Sequence, residues 1–172
     1  ANMKLASGVC RVLDLIKSGV NVGLGSDGIK ENNKIDLIQE MKTAALLQKV
    51  NTLDATALPV TTVLRMATIN GATALGLGKE TGSLEKGKKA DITIIDLNKL
   101  HMSPLLFDEF FNIVANIVYA AQGGDVDTVL VDGKVVVKGG RVQTVDENEL
   151  IEMHTKVAAA VLERRKKHVP KD

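Results

Sequence analysis

The spacing of apolar residues shifts between two periods along this chain. Val9, Val12, Leu13 and Ile16 recur at i, i+3, i+4 and i+7, which is one face of a helix. Ser7 is its expected N-cap and Gly19 its expected stop. The period then drops to two. Val20, Val22 and Leu24 alternate with Asn21, Gly23 and Gly25, so the spacing predicts a buried strand over Val20–Gly25 with a crowded opposite face. A polar loop, "IKENNK", leads to a second helix over residues 35–50. Ile38, Met41, Ala45 and Gln48 lie along one line of it. A third helix is expected in "LPVTTVLRMAT", with Pro59 in its first turn. Asn70 is the expected cap of a short fourth helix ending near Gly78.

Past that point the pattern turns to strands. "GSLEKGKKADITIIDL" carries Gly and Lys turns and then a β-branched run, Ile92 to Ile95. "DTVLVDGKVVVKGGRVQT" predicts two strands around the Asp132-Gly133 hairpin turn, and a short third strand after Gly139 and Gly140. "FFNIVANIVYAA" between these blocks fits either helix or strand, and helix is favoured. The last helix has Thr144 and Glu147 at capping-box spacing. Leu150, Ile151, His154, Val157, Ala158 and Val161 form its apolar stripe, with His154 read as a packed boundary residue.

Composition narrows the function classes. Aromatic residues are sparse (Phe 3, Tyr 1, Trp 0), so the core is aliphatic and a base-stacking surface is lacking. The net charge of +1 gives no global field for DNA or an anionic membrane. The closing run Arg164, Arg165, Lys166 and Lys167 reads as a solvated helix end that suits the macrodipole. Cys10 is the single cysteine, which excludes an internal disulfide and reads as cytoplasmic. It is expected in the core beside Val9 and Val12. No apolar run is long enough to span a membrane, so neither nucleic acid nor membrane is an expected partner.

Candidate chemistry sits in "VNVGLGSDG". Gly23, Gly25 and Gly28 spell G-x-G-x-x-G, a dinucleotide fingerprint. That fold starts its helix inside the glycines, facing the pyrophosphate. Here a charged loop follows Gly28 instead, so the glycines read as a chance match. Asp27 fits a different pattern: helix, short buried strand, then a carboxylate at the strand's C-terminal end, where barrel enzymes place their chemistry. In that reading Gly23 and Gly25 relieve crowding, and Gly28 lets the loop turn so that Asp27 faces the axis. The local pattern alone leaves open, and slightly favours, an Asp27 that merely starts a turn.

The stretches "NMKLASG", "GSDG", "NNKIDLIQEMKTAALLQK", "LRMATINGATALGLGKETGSLEKGKKADITIIDL" and "VYAAQGGDVDTVLVDGKVVVKGG" change the balance. Through them nearly the whole chain resembles the C-terminal portion of amidohydrolase-superfamily deaminases. Within that superfamily it is most like the methylthioadenosine/S-adenosylhomocysteine deaminases and their chlorohydrolase-like relatives. "LASG" with "MKTAALLQK" points to this branch. The resemblance implies an α/β fold: the last strand and helices of a metal-dependent-hydrolase TIM-type barrel, joined to the C-terminal share of a small β-sandwich domain. Residues 1–80 would be the barrel segment, 81–145 part of the sandwich with an inserted helical stretch, and 146–172 the C-terminal helix and tail. It implies that Asp27 ends the last barrel strand, binds a divalent metal (zinc first, iron second) and takes a proton from the metal's water. Ser26, Gly28, Asn32 and Asn33 are the expected substrate-loop residues. The expected substrate is an aminopurine nucleoside.

The superfamily's remaining metal ligands have no counterpart here. His101, His154 and His168 all follow Asp27, and none has H-x-H spacing. The expectation is therefore part of an aminohydrolase, inactive alone, completed by a missing N-terminal part or associating with itself. The competing expectation is a non-catalytic, self-associating scaffold module.

Overall fold

The computed structural model describes residues 2–168; the side chains of Lys167 and His168 lie outside the described part. Six helices come first: α1 (Asn2–Leu5), α2 (Val12–Lys17), α3 (Ile29–Asn32), α4 (Leu37–Thr52), α5 (Val60–Ala67) and α6 (Ile69–Ala74). Strand β1 (Ile92–Ile95), helix α7 (Ile113–Tyr119), strands β2 (Val126–Val131), β3 (Lys134–Lys138) and β4 (Arg141–Val142), and helix α8 (Glu147–His168) follow. The architecture is α/β.

The strands make one antiparallel sheet in the order β1-β2-β3-β4. Ile92 pairs with Leu130, Val129 with Val137, and Val137 with Val142. Asp132 (φ 49°) and Gly133 (φ 78°) form the β2–β3 turn, the left-handed pair that two-residue hairpins require. The lead-in "GSLEKGKKAD" is held by its lysines. Lys88 donates to the Gly78 carbonyl at 2.7 Å and to Ser83 Oγ at 2.6 Å, and Lys89 pairs with Glu80 at 2.6 Å. Gly82 (φ +89°) packs so closely on α6 that a Cβ would lie 2.7 Å from Ala72 Cβ. These contacts fold the motif into a turn.

The core lies among the helices. Val12, Met41, Ala45, Leu58, Val63, Met66 and Val118 form its buried cluster, an aliphatic set as the composition requires, and Val22 and Leu24 pack against it. Helix α7, which contributes Val118, packs on α4 and α5. The helical stretch between the strands thus covers the helices of the first 80 residues.

Several sequence expectations need correction. Val20–Gly25 is extended but is not a strand, because no ladder partner lies beside it among the described residues. Isolated bonds hold it in place of a ladder: the Val20 amide donates to the Leu15 carbonyl at 3.0 Å, the Leu24 amide to the Met66 carbonyl at 3.0 Å, and Asn21 Nδ2 to the Asn70 carbonyl at 2.9 Å. Helix α2 starts at Val12, not after Ser7. The Ser7 amide closes α1 by donating to the Asn2 carbonyl at 3.0 Å, and Gly8 (φ +91°) breaks the chain direction. Cys10 falls in that irregular stretch and is exposed, not core. Asn70 lies inside α6 and donates to the Val22 carbonyl at 3.3 Å; it does not cap. Asp146, not Thr144, caps α8: its Oδ1 accepts from the Asn148 and Glu149 amides at 2.9 and 3.1 Å. The stripe from Leu150 to Val161, with His154, is exposed along its length.

Candidate active site

Asp27 stands where the extended segment ends and the loop to α4 begins. A cleft of about 240 Å³ opens there, lined by Cys10, Gly25, Ser26, Asp27, Glu40 and Gln48 among others. Asp27 is exposed at its edge. Its backbone takes a left-handed conformation, φ 63°, which a side chain adopts at a strain of about 1–3 kcal/mol. Aspartate tolerates it better than most residues. Its own carboxylate supports the turn: Oδ1 accepts from the Gly28 amide at 2.7 Å. Oδ2 has no hydrogen bond among the described residues.

The turn chemistry therefore differs from the sequence reading. Gly28 has φ −69°, an ordinary value, so Asp27 makes the turn and Gly28 does not. Gly23 does relieve crowding, since a Cβ there would sit 3.0 Å from Gly71 Cα; at Gly25 a Cβ would meet nothing within 4 Å.

The four loop residues fall into two groups. Ser26 and Asn32 are brought together, with Asn32 Nδ2 donating to the Ser26 carbonyl at 2.7 Å and to Glu40 Oε1 at 2.6 Å. Asn33, left-handed at φ 62°, closes α3 on the outer side, where its side chain accepts from Lys4 Nζ. Gly28 begins α3 next to Asp27.

Two carboxylates escaped the sequence reading. Glu40 sits on the first turn of α4 and faces the loop through Asn32. Asp36 caps α4 by accepting from the Gln39 amide at 3.1 Å. Its Oδ2 lies 2.7 Å from Lys34 Nζ, an ion pair at contact distance though not aligned as a hydrogen bond. Burial pushes Asp36 up, but Lys34 and the Gln39 and Gly123 amides outweigh it, and the carboxyl titrates below its ordinary range. "DLIQ", with aspartate three residues before glutamine, was the available signal.

A larger groove of about 680 Å³ runs along α4, past Lys34, Asp36, Leu46, Val50 and Gln122. Its carboxylate, Asp36, is already paired, so the smaller cleft is the better chemical candidate. His101 lines neither, although the carboxylate oxygen it contacts also holds the amide of Gln122, which lines the larger groove. Its Nε2 lies 2.9 Å from Oδ2 of buried Asp125, which also accepts the Gln122 amide at 2.8 Å. No group of three or more His, Cys, Asp or Glu side chains suited to a metal gathers among the described residues.

A 5'-deoxyadenosine deaminase of Methanosarcina mazei is 48% identical over 164 residues, which cover 95% of this chain and 36% of that protein. A 5-methylthioadenosine/S-adenosylhomocysteine deaminase of Moorella thermoacetica is 48% identical over 156 residues, covering 91% and 35%. The crystal structure of an adenosine deaminase from Xanthomonas campestris with bound zinc superposes with a TM-score of 0.88 at 36% identity, covering 94% of this chain and 36% of that one. A zinc complex of atrazine chlorohydrolase from Arthrobacter aurescens shares the fold, with a TM-score of 0.80 at 23% identity. The chain thus spans about a third of the length of the curated relatives it matches, 36% in the first case. The family model for amidohydrolases matches residues 1–136, and with that span under one model the chain belongs to the amidohydrolase family.

Proposed function

We propose that this chain is the part of a metal-dependent aminohydrolase that carries the carboxylate of its last barrel strand, Asp27. The reaction is hydrolytic deamination of an aminopurine nucleoside such as methylthioadenosine, S-adenosylhomocysteine or 5'-deoxyadenosine. The observation that carries this reading is Asp27 held at the rim of a cleft, Oδ1 fixed by the Gly28 amide and Oδ2 unengaged. The names of the relatives support the substrate class.

A carboxylate oxygen is a normal zinc ligand, and zinc takes four donors in most structural sites and three plus water in catalytic ones. Asp27 fits as one donor of such a set, with the others in the rest of the longer protein. Zinc, when bound, lowers the pKa of its water towards about 7. Asp27 Oδ2 would accept a proton from the attacking water and pass it to the leaving amine, as general base and general acid in turn. Ser26 lines the cleft beside Asp27, the Gly28 amide holds Asp27 Oδ1, and Asn33 closes α3. Residues 1–80 form the barrel share of the molecule, 81–145 the share of the small β-sandwich domain, and 146–172 the closing helix and tail.

The test is Asp27→Asn in the full-length protein, which keeps shape and one acceptor but removes the base. Turnover of methylthioadenosine is expected to disappear while the melting temperature holds. Undiminished turnover would refute the assignment.

A further inference from the structure

We infer that Asn32 and Glu40 form a clasp that positions Asp27, so that Asn32 acts as a positioning residue and not as a substrate contact. The inference rests on the reading of Asp27 as a metal ligand. Its geometry stands independently. Asn32 Nδ2 donates to the Ser26 carbonyl at 2.7 Å and to Glu40 Oε1 at 2.6 Å. The Ser26 carbonyl belongs to the peptide that joins Ser26 to Asp27. Holding that oxygen restrains the peptide plane on the N-terminal side of Asp27, one of the two groups whose relative orientation sets its φ.

That rotation is the unusual one, φ 63°. A residue kept in such a conformation needs its surroundings to over-determine it. The Gly28 amide on Asp27 Oδ1 supplies one restraint from the C-terminal side. The clasp supplies the other from the N-terminal side. Glu40 anchors it to α4, whose Met41 and Ala45 are buried in the core. Asn32 is the last residue of α3, so this one short turn returns the chain to Ser26. The loop therefore carries Asp27 on a closed path, Ser26 to Asn32 to Glu40, tied to a rigid helix. Groups of this kind, one step removed from a ligand, change metal affinity or activity about 10–100-fold when removed.

The test uses the full-length protein with Asn32→Ala, Glu40→Ala and Glu40→Gln, with Asp27→Asn alongside. Zinc affinity is measured by chelator competition, and backbone hydrogen exchange over residues 26–33 is followed in the metal-free protein. Asn32→Ala and Glu40→Ala are expected to weaken zinc binding about 10–100-fold and to speed exchange over the loop. Glu40→Gln keeps the acceptor oxygen for Asn32 and is expected to behave as the parent in both. Parent-like zinc affinity and exchange in the two alanine variants would overturn the clasp. So would a Glu40→Gln variant as impaired as Glu40→Ala, because the charge and not the acceptor would then be what matters. Asp27→Asn with parent-like zinc affinity would instead remove Asp27 as a ligand, and the exchange comparison alone would then decide the clasp.

Discussion

Asp27 is assigned two jobs by the proposed function: Oδ1 stabilises the turn on the Gly28 amide, and Oδ2, without a hydrogen bond among the described residues, is left for the proposed chemistry. That division makes asparagine the informative replacement. It tolerates the left-handed backbone and keeps the Oδ1 acceptor, so the fold is expected to stay within about 1 kcal/mol of the parent. Loss of turnover without loss of stability is the signature, read from kinetics and a thermal melt on the same preparation. An equal loss of both would make Asp27 a turn residue and nothing more. The sequence singled out Asp27 but not how its backbone and carboxylate are held. The glycines around it attract attention because glycine commonly makes such turns; here the aspartate takes the positive φ and Gly28 does not. Nor was Glu40 legible, because its role depends on Asn32 reaching both it and Ser26, a contact that only the folded loop creates.

The helices were legible wherever one face is buried. The line through Met41, Ala45 and Gln48 on α4 is core in the structure; the third helix was placed, but its buried Val63 and Met66 were not singled out. The strand Val20–Gly25 was misread because alternation predicts extension, while strand pairing depends on neighbours that alternation does not encode. Its contact with α6 is close enough to test. A Cβ at Gly23 would meet backbone, Gly71 Cα at 3.0 Å, whereas a Cβ at Gly71 has only the Met66 carbonyl at 3.4 Å. Gly23→Ala is therefore expected to lower stability by about 1–3 kcal/mol. Gly71→Ala, inside a helix, is expected to be neutral or slightly stabilising. Denaturant melts of the two full-length variants decide, and the reverse order would contradict this packing.

Asp36 tests the start of α4 in the same way. Asp36→Ala removes an N-cap and is expected to lower stability by about 0.5–2 kcal/mol. Its pH dependence has a definite sign. The folded carboxyl titrates below its ordinary range, so its contribution is complete above the unfolded value of about 3.9. It is lost as pH falls through the lower, folded value. Acid unfolding of Asp36→Asn is expected to be less steep than that of the parent in that window. An identical acid limb would mean that Asp36 titrates alike in both states.

At the scale of the whole molecule, the chain holds about a third of the length of its relatives. Its surface carries large apolar side chains, among them Phe107, Phe110, Ile151 and Val161. An extended segment with no ladder partner among the described residues invites another chain, and exposed apolar patches favour association. The 172-residue chain prepared alone is therefore expected to sediment as an assembly and to show no deaminase turnover with or without added zinc. A cooperatively melting monomer would favour an independent module, and turnover by the isolated chain would refute its reading as one part of a site. No described helix is long and apolar enough to cross a membrane.

The central claim concerns one oxygen and one metal. Zinc anomalous diffraction from crystals of the full-length protein tests it most directly. A zinc peak is expected about 2.0–2.2 Å from an Asp27 carboxylate oxygen, the usual zinc–carboxylate distance, with the remaining ligands drawn from outside residues 1–172. A fully occupied zinc site whose ligands do not include Asp27 would contradict it.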